Sequence, residues 1–146
     1  MNDRVADASE VAGTLERLLR DEAVPGLVSA YLFGSYAEGL VHRESDVDLG
    51  VLFDQRAYAT REARFDARVR FTSWAMGALH RNALDVVVLN DAPPGLGRHI
   101  VTAGRRVYCR DAEAEHAFVR DVQLRAADLE PFLRRARRIK LDALAR

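Results

Sequence analysis

The feature that most constrains this chain is a Gly-Ser pair followed, after ten residues, by an Asp-x-Asp. The preceding run, VSAYLF at residues 28–33, is too short for a typical helix and rich in β-branched and aromatic residues. Such a run predicts a buried strand. The run DVDLGVLF, at residues 46–53, predicts a second strand that begins with the two aspartates. Both strands are expected to belong to the core of the fold.

The residues at the facing ends of these strands suit a phosphate and a metal ion. Gly34 has no Cβ, so the backbone can turn sharply there and approach a ligand closely. Ser35 can open a helix whose free N–H groups and positive dipole end favour an anionic phosphate. Asp46 and Asp48 are two residues apart on a strand, so they project from one face at roughly 6.5–7 Å between Cα atoms. The opposite face is expected to point into the core; it carries Val47, Leu49 and Val51.

A third carboxylate stands near the start of another short apolar run, LDVVVL at residues 84–89. Asp85 is the only charged residue in this run, and an aspartate in a buried strand is costly unless it is paired or binds a metal. Magnesium prefers carboxylate oxygens and bridges to substrate phosphates. Beside Asp46 and Asp48, Asp85 would complete a magnesium site, and it could also accept the proton of an attacking hydroxyl.

Each part of this pattern also has an ordinary structural explanation. An Asp-x-Asp at a strand edge is common, a Gly-Ser after a strand is usually only a turn, and Asp85 taken alone could be a solvated loop residue. The order favours the joint functional interpretation: strand, Gly-Ser, spacer, strand with Asp-x-Asp, long helix, and strand with Asp.

The Gly-Ser, ten-residue spacer and Asp-x-Asp resemble the signature of the nucleotidyltransferases of the DNA polymerase β superfamily. The short chain resembles the minimal, MNT-type branch, whose members include antitoxins paired with HEPN ribonuclease toxins. Residues 86–111 are similar to the stretch that follows the third strand in those antitoxins. The resemblance implies a polymerase-β-like core that transfers AMP from ATP to a tyrosine hydroxyl of the toxin and so silences its ribonuclease activity.

Carried over position by position, the resemblance also implies roles for single residues. It implies that Gly34 and Ser35 hold the triphosphate and that Asp46, Asp48 and Asp85 are the catalytic carboxylates that bind Mg²⁺. In the spacer, Arg43 could steady a phosphate, because a guanidinium binds phosphate well. A role for Arg43 as an ordinary surface loop residue is the alternative.

Two other functions remain open. A binding-only antitoxin would block its partner sterically, although binding alone would not need three convergent acids. A small-molecule nucleotidyltransferase would modify an antibiotic-like acceptor, but such enzymes usually carry a larger additional C-terminal domain, for which this chain has little room.

Composition excludes several classes of protein. Lys+Arg and Asp+Glu both number 22, so the net charge is zero. Proteins that bind long nucleic acids normally have an excess of basic residues, so the charge argues against this function. The single cysteine, Cys109, excludes an internal disulfide and fits a reducing cytoplasm. No segment approaches the 18 or so apolar residues that would indicate a membrane span, so we expect a cytoplasmic protein.

The whole chain, 1–146, is expected to form one nucleotidyltransferase domain of the α/β class. Its core is expected to span about 8–110 and to contain a small mixed β-sheet with helices packed on one face, the other face staying open for the nucleotide. Helices are predicted at 8–22, 56–81 and 95–103, the last with Gly104 as its left-handed cap. A short edge strand is predicted at 105–109. The stripe of the second helix expected to pack on the sheet is Tyr58, Phe65, Val69, Thr72, Met76 and Leu79.

The remaining segment, about 112–145, is predicted to form C-terminal helices. Asp111 can cap a helix that runs to about 128, with Glu113 and Glu115 near its positive end. Pro131 lacks an N–H and should kink or restart the helix. The helix beyond it carries a concentrated basic patch, which is either a solvated face or a surface that docks onto an acidic partner. The patch consists of Arg134, Arg135, Arg137, Arg138 and Lys140.

Overall fold

The computed structural model describes residues 8–34 and 46–145. In this part of the chain, four strands form one sheet: β1 (Leu27–Phe33), β2 (Val47–Phe53), β3 (Leu84–Val88) and β4 (Arg105–Cys109). Four α-helices accompany them: α1 (Ala8–Asp21), α2 (Arg61–Leu79), α3 (Pro94–Ala103) and α4 (Ala112–Leu144), with a 3₁₀ turn at Leu89–Asp91.

The sheet has the strand order β3-β2-β1-β4. β1 is antiparallel to both of its neighbours, whereas β2 and β3 are parallel because α2 carries the chain back across the sheet between them. The predicted class, an α/β fold with a small mixed sheet and a polymerase-β-like core, is confirmed.

One face of the sheet is covered by α1 and α2. Val47, Leu49 and Val51 of β2 are completely buried on this face, as their alternation with the aspartates predicts. The helices contribute leucines from α1 and small or aromatic residues from α2. Those residues are Leu15, Leu19, Ala67, Phe71 and Ala75.

Helices were predicted on one face of the sheet, and the structure has further helices on the second face. Ile100 of α3 is fully buried against Tyr31 and Leu52 of the sheet, and Phe118 of α4 packs beside them. The predicted open face is therefore restricted.

The buried face of α2 differs from the predicted stripe. Phe65 and Val69 are 55% and 52% exposed, whereas Ala67, Phe71 and Ala75 are buried. The prediction followed the bulkiest side chains at helical spacing, but the helix turns its alanines toward the sheet, where small side chains permit close packing. The helix also begins later than predicted, since the side chain of its cap, Thr60, accepts a hydrogen bond from the N–H of Ala63.

Gly104 follows α3, but its predicted left-handed conformation is wrong. Its φ of −78° and ψ of 166° are extended. A Cβ at this position would lie 2.4 Å from the carbonyl oxygen of Ile100 and 3.1 Å from that of Leu32. The glycine is therefore required by close backbone approach and not by a positive φ.

The C-terminal segment forms one helix where two were predicted. Asp111 caps it as expected, accepting a hydrogen bond from the N–H of Ala114. The helix continues without interruption through Pro131. Side chains around Pro131 are exposed, so water can reach the carbonyl that the proline leaves without a donor. Every side chain from 131 to 145 is exposed, which agrees with either prediction for the basic patch.

A buried polar cluster joins α4 to the sheet. Glu115 is 1% exposed, and its carboxylate accepts hydrogen bonds from the hydroxyl of Tyr31 and the guanidinium of Arg106. Burial, and then the hydrogen bond to Glu115, raises the pKa of Tyr31 above its ordinary value of 10.0. From the sequence, Glu115 was predicted only to lie near a helix end, since nothing local indicates a partner 84 residues away.

In the described part of the chain, no helix is both long enough and apolar enough to span a membrane.

Candidate active site

Strand register brings the three predicted carboxylates to one corner of the sheet. Asp48 of β2 is the register partner of Phe33 on β1 and of Asp85 on β3. Neighbouring strands lie about 4.8 Å apart, so Asp48 and Asp85 are adjacent across the ladder. Asp46 stands two residues before Asp48, directly before β2 begins at Val47.

The electrostatics of Asp48 reflect this crowding. Asp46 and Asp85 are exposed, whereas Asp48 is half-buried. Burial raises the pKa of Asp48 above its ordinary value of 3.8, and the negative charges of Asp85 and Asp46 raise it further. A bound cation would relieve this repulsion.

Gly34 brings the backbone turn directly against Asp48. Its φ is +71°, in the left-handed region that favours glycine. A Cβ at this position would lie 2.5 Å from Oδ2 of Asp48, so only a residue without a side chain fits. The sharp turn and close approach predicted for Gly34 are present. Ser35 and Arg43 lie outside the described residues, and their proposed roles remain predictions.

The carboxylates suit a hard cation in their chemistry. Within residues 8–34 and 46–145, however, no group of three or more His, Cys, Asp or Glu side chains is arranged to hold a metal ion. Asp46 and Asp85 thus lie close enough to Asp48 for their charges to raise its pKa, but the three carboxylates do not converge on one coordination point. Their oxygen atoms nevertheless match the ligands that magnesium prefers, and the raised pKa of Asp48 shows that negative charge is crowded there.

A cavity of about 340 Å³, which was not predicted from the sequence, opens beside Asp85. Phe65, which was predicted to pack on the sheet, instead lies in the wall of this cavity. The cavity is lined by residues of β3, α2 and the start of α3.

The mixed sheet is that of a polymerase-β-like nucleotidyltransferase, and an Asp-x-Asp at the start of one strand, a third Asp on its parallel neighbour and a glycine turn against them fit this class. Residues 14–113 match the family described as Polymerase beta, Nucleotidyltransferase. The chain belongs to this family.

Relatives within the family are similar over most of their length. The chain is 30% identical over 112 residues to the protein adenylyltransferase MntA of Shewanella oneidensis, covering 74% of this chain and 72% of that protein. A toxin–antitoxin crystal structure with AMP-PNP superposes with a TM-score of 0.59 at 27% identity, over 92% of this chain and 98% of that one. A toxin–antitoxin MntA–HpeT variant with two Asp-to-Glu substitutions gives a TM-score of 0.59 at 25% identity, with the same coverage.

Gly34→Ala is expected to damage both the fold and the site. A left-handed conformation costs a residue with a Cβ roughly 1–2 kcal/mol, and the new methyl group must also displace Asp48. We therefore expect a lower melting temperature in thermal unfolding and at least about a tenfold loss of nucleotidyl transfer, equivalent to roughly 1.4 kcal/mol. Gly77→Ala is the matched control, because a Cβ there meets nothing within 4 Å. Equal behaviour of the two variants would contradict the assigned role of Gly34.

Proposed function

We propose that this protein is a cytoplasmic antitoxin that transfers AMP from ATP to a tyrosine hydroxyl of a HEPN-type ribonuclease toxin. The observation that carries the proposal is the register of Asp48 with Asp85, which places carboxylates from two strands beside the Gly34 turn. The adenylyltransferase name of MntA and the AMP-PNP-bound toxin–antitoxin structure support the nucleotide and the kind of partner.

The chain's own residues divide the work of binding. Gly34 and Ser35 would receive the triphosphate, because a backbone without a side chain can approach the phosphate oxygens and a hydroxyl can donate to them. Asp46, Asp48 and Asp85 would hold Mg²⁺. When bound, the ion would supply positive charge that offsets the phosphate oxygens and orients the α-phosphate.

In the reaction, the acceptor oxygen forms a bond to the α-phosphorus of ATP, and the bond between that phosphorus and the bridging oxygen breaks. AMP remains on the tyrosine oxygen, and pyrophosphate leaves in line with the attack. The hydroxyl proton passes to Asp85, whose exposed carboxylate stands at the edge of the sheet. Most of the rate enhancement comes from positioning and from neutralising charge.

The test uses the purified protein, Mg²⁺, ATP labelled on its α-phosphate, and the HEPN-type protein encoded by the neighbouring gene. We expect label to pass to that partner and to fall by about 10²–10³ in Asp85→Asn, the usual cost of losing one electrostatic stabiliser. Asp128→Asn, which alters an exposed aspartate on α4, is the control and should transfer normally.

A binding-only antitoxin is the second candidate. It is favoured by one observation, namely that the described carboxylates do not form a ready-made metal cluster. Neutralisation of the partner by Asp85→Asn without transfer of label would support it. Labelling of a small antibiotic-like molecule in the absence of any partner would instead support a small-molecule transferase.

A further inference from the structure

We propose that the open edge of β3 is the docking groove for the acceptor, and that an extended segment of the acceptor protein lies along it as an added strand. This inference rests on the proposed function, since it locates the acceptor of that reaction. The segment would place its hydroxyl at Asp85, which lines one end of the groove.

The cavity beside Asp85 runs along the edge of the strand. Residues 85–88, four in succession, all line it. Successive side chains of a strand point to opposite faces, so four consecutive residues can share one cavity only if it follows the backbone edge. β3 is the terminal strand of the sheet, and no strand of the described ranges pairs with its outer side. Among the residues that the structure describes, its outward N–H and C=O groups therefore have no strand partner and can pair with a further strand.

Two walls flank this edge and offer apolar contacts. Arg61, Phe65 and Arg68 form the first wall and lie on one face of α2, because they are four and three residues apart. The second wall, at 91–96, includes Leu96. Phe65 and Leu96 are 55% and 38% exposed. Residues 85–88 span roughly 10 Å, which suits three or four residues of an extended segment.

The groove is held open by hydrogen bonds between its walls. Arg64 of α2 donates to both carboxylate oxygens of Asp91, at 2.9 and 2.8 Å. The side chain of Asn90 bonds both backbone groups of Phe53, each at 2.9 Å, and anchors the second wall to β2. Because its walls are already fixed, the groove loses little conformational entropy when a segment binds, and this favours affinity.

The charges at the rim indicate the composition of the segment. The side chain of Arg61 is 79% exposed and lies 3.9 Å from the carboxylate of Asp91. Arg68 lies over the ring of Phe65, 5.8 Å from its centroid, and pairs with no carboxylate among the described residues. The acceptor segment is therefore expected to carry acidic residues near its tyrosine.

The position of the groove favours an acceptor over a nucleotide. Along one row of the sheet, the Gly34 turn, Asp48 and Asp85 follow one another from β1 to β3. Phosphates held at Gly34 direct the leaving pyrophosphate toward β1. An in-line attack must then arrive from the opposite side, which is the side of β3.

The first test separates the two substrates of the enzyme. In initial-rate assays with labelled ATP and the neighbouring-gene partner, Phe65→Ala and Arg68→Ala are expected to raise the KM for the partner about tenfold. The KM for ATP should stay within about twofold, since the phosphates bind elsewhere. Val69→Ala is the matched control, because this residue is 52% exposed on the same helix and does not line the groove. A rise in the KM for ATP, or no difference from the control, would overturn the groove.

The second test needs no turnover. Labelled partner is titrated into the protein with Mg²⁺ but without ATP, and hydrogen exchange is followed at the amides of 85–88. We expect weaker binding by the two groove variants, and in the wild-type complex slower exchange of those amides among 85–88 that point away from β2. If the wild-type protein binds in this way but transfers no AMP, the proposed function fails and the groove stands. If it binds no partner, or binds it without protecting 85–88, the groove is wrong.

Discussion

Asp48→Asn is expected to abolish AMP transfer while raising the melting temperature of the protein. The activity should fall by about 10²–10³ or more, because the variant loses the carboxylate at the centre of the corner. The stability should rise because the ionised carboxylate of Asp48 is unfavourable in the folded protein. Burial and the negative charges of Asp85 and Asp46 all raise its pKa. An amide of the same shape carries no charge to repel.

The raised pKa of Asp48 also determines how the stability of the protein changes with pH. The folded-state pKa of Asp48 lies above its unfolded value, so the folded protein binds this proton more tightly. Its favourable contribution is complete below the unfolded pKa, which is about 3.9, and is lost as the pH rises through the folded pKa. The melting temperatures of wild type and Asp48→Asn should therefore converge in acid and separate toward neutral pH.

Thermal unfolding across this pH range checks the prediction, with Asp66→Asn, on the exposed side of α2, as the control. Adding Mg²⁺ should raise the melting temperature of the wild-type protein and have a smaller effect on Asp48→Asn, because a ligand stabilises only the state that binds it. A variant that is less stable than wild type at neutral pH, or that still transfers AMP at the wild-type rate, would contradict the assigned electrostatics.

Arg106→Met is expected to be the most destabilising of the single substitutions considered. It removes the cationic partner of Glu115, a residue that is 1% exposed, and leaves its carboxylate with the hydroxyl of Tyr31 and the thiol of Cys109 as partners. Breaking a buried ion pair from one side typically costs about 3–5 kcal/mol. The side chain of Arg106 is itself 51% exposed, so we expect a loss near the lower end, about 3 kcal/mol.

Urea unfolding measures this loss, and two further variants make it interpretable. Arg105→Met alters the adjacent arginine, whose pair with Glu16 at 3.2 Å is exposed, and should cost no more than about 1 kcal/mol. The double variant Arg106→Met/Glu115→Leu should recover part of the stability, because no buried charge remains without a partner. Equal losses in Arg105→Met and Arg106→Met would show that the buried cluster contributes nothing special.

The strands and the acidic residues on them could be predicted because their signals are local. Alternation along β2 places Val47, Leu49 and Val51 on one face and Asp46 and Asp48 on the other, and a period of two requires no knowledge of the neighbours. The adjacency of Asp48 and Asp85 is different. It depends on the strand order β3-β2-β1-β4 and on register, neither of which follows from the spacing of residues along the chain.

The features that were missed depend on contacts between distant segments. Phe65 and Val69 were placed in the core because a bulky residue at helical spacing usually packs there, yet alanines face the sheet. Glu115 finds its partners on β1 and β4. Gly104 is required by carbonyl oxygens that its own neighbourhood does not identify.

The overhanging end of α4 makes the behaviour of the free protein dependent on ionic strength. From 131 to 145 this end carries apolar side chains such as Phe132 and Ile139, 64% and 63% exposed, among five basic residues and one acidic residue. Like charge keeps two such ends apart in dilute buffer, whereas salt shortens the reach of that repulsion to about 10 Å at 0.1 M and about 3 Å at 1 M. Concentrated salt therefore removes the electrostatic repulsion between two copies of the protein. Burial of the exposed apolar side chains can then drive self-association.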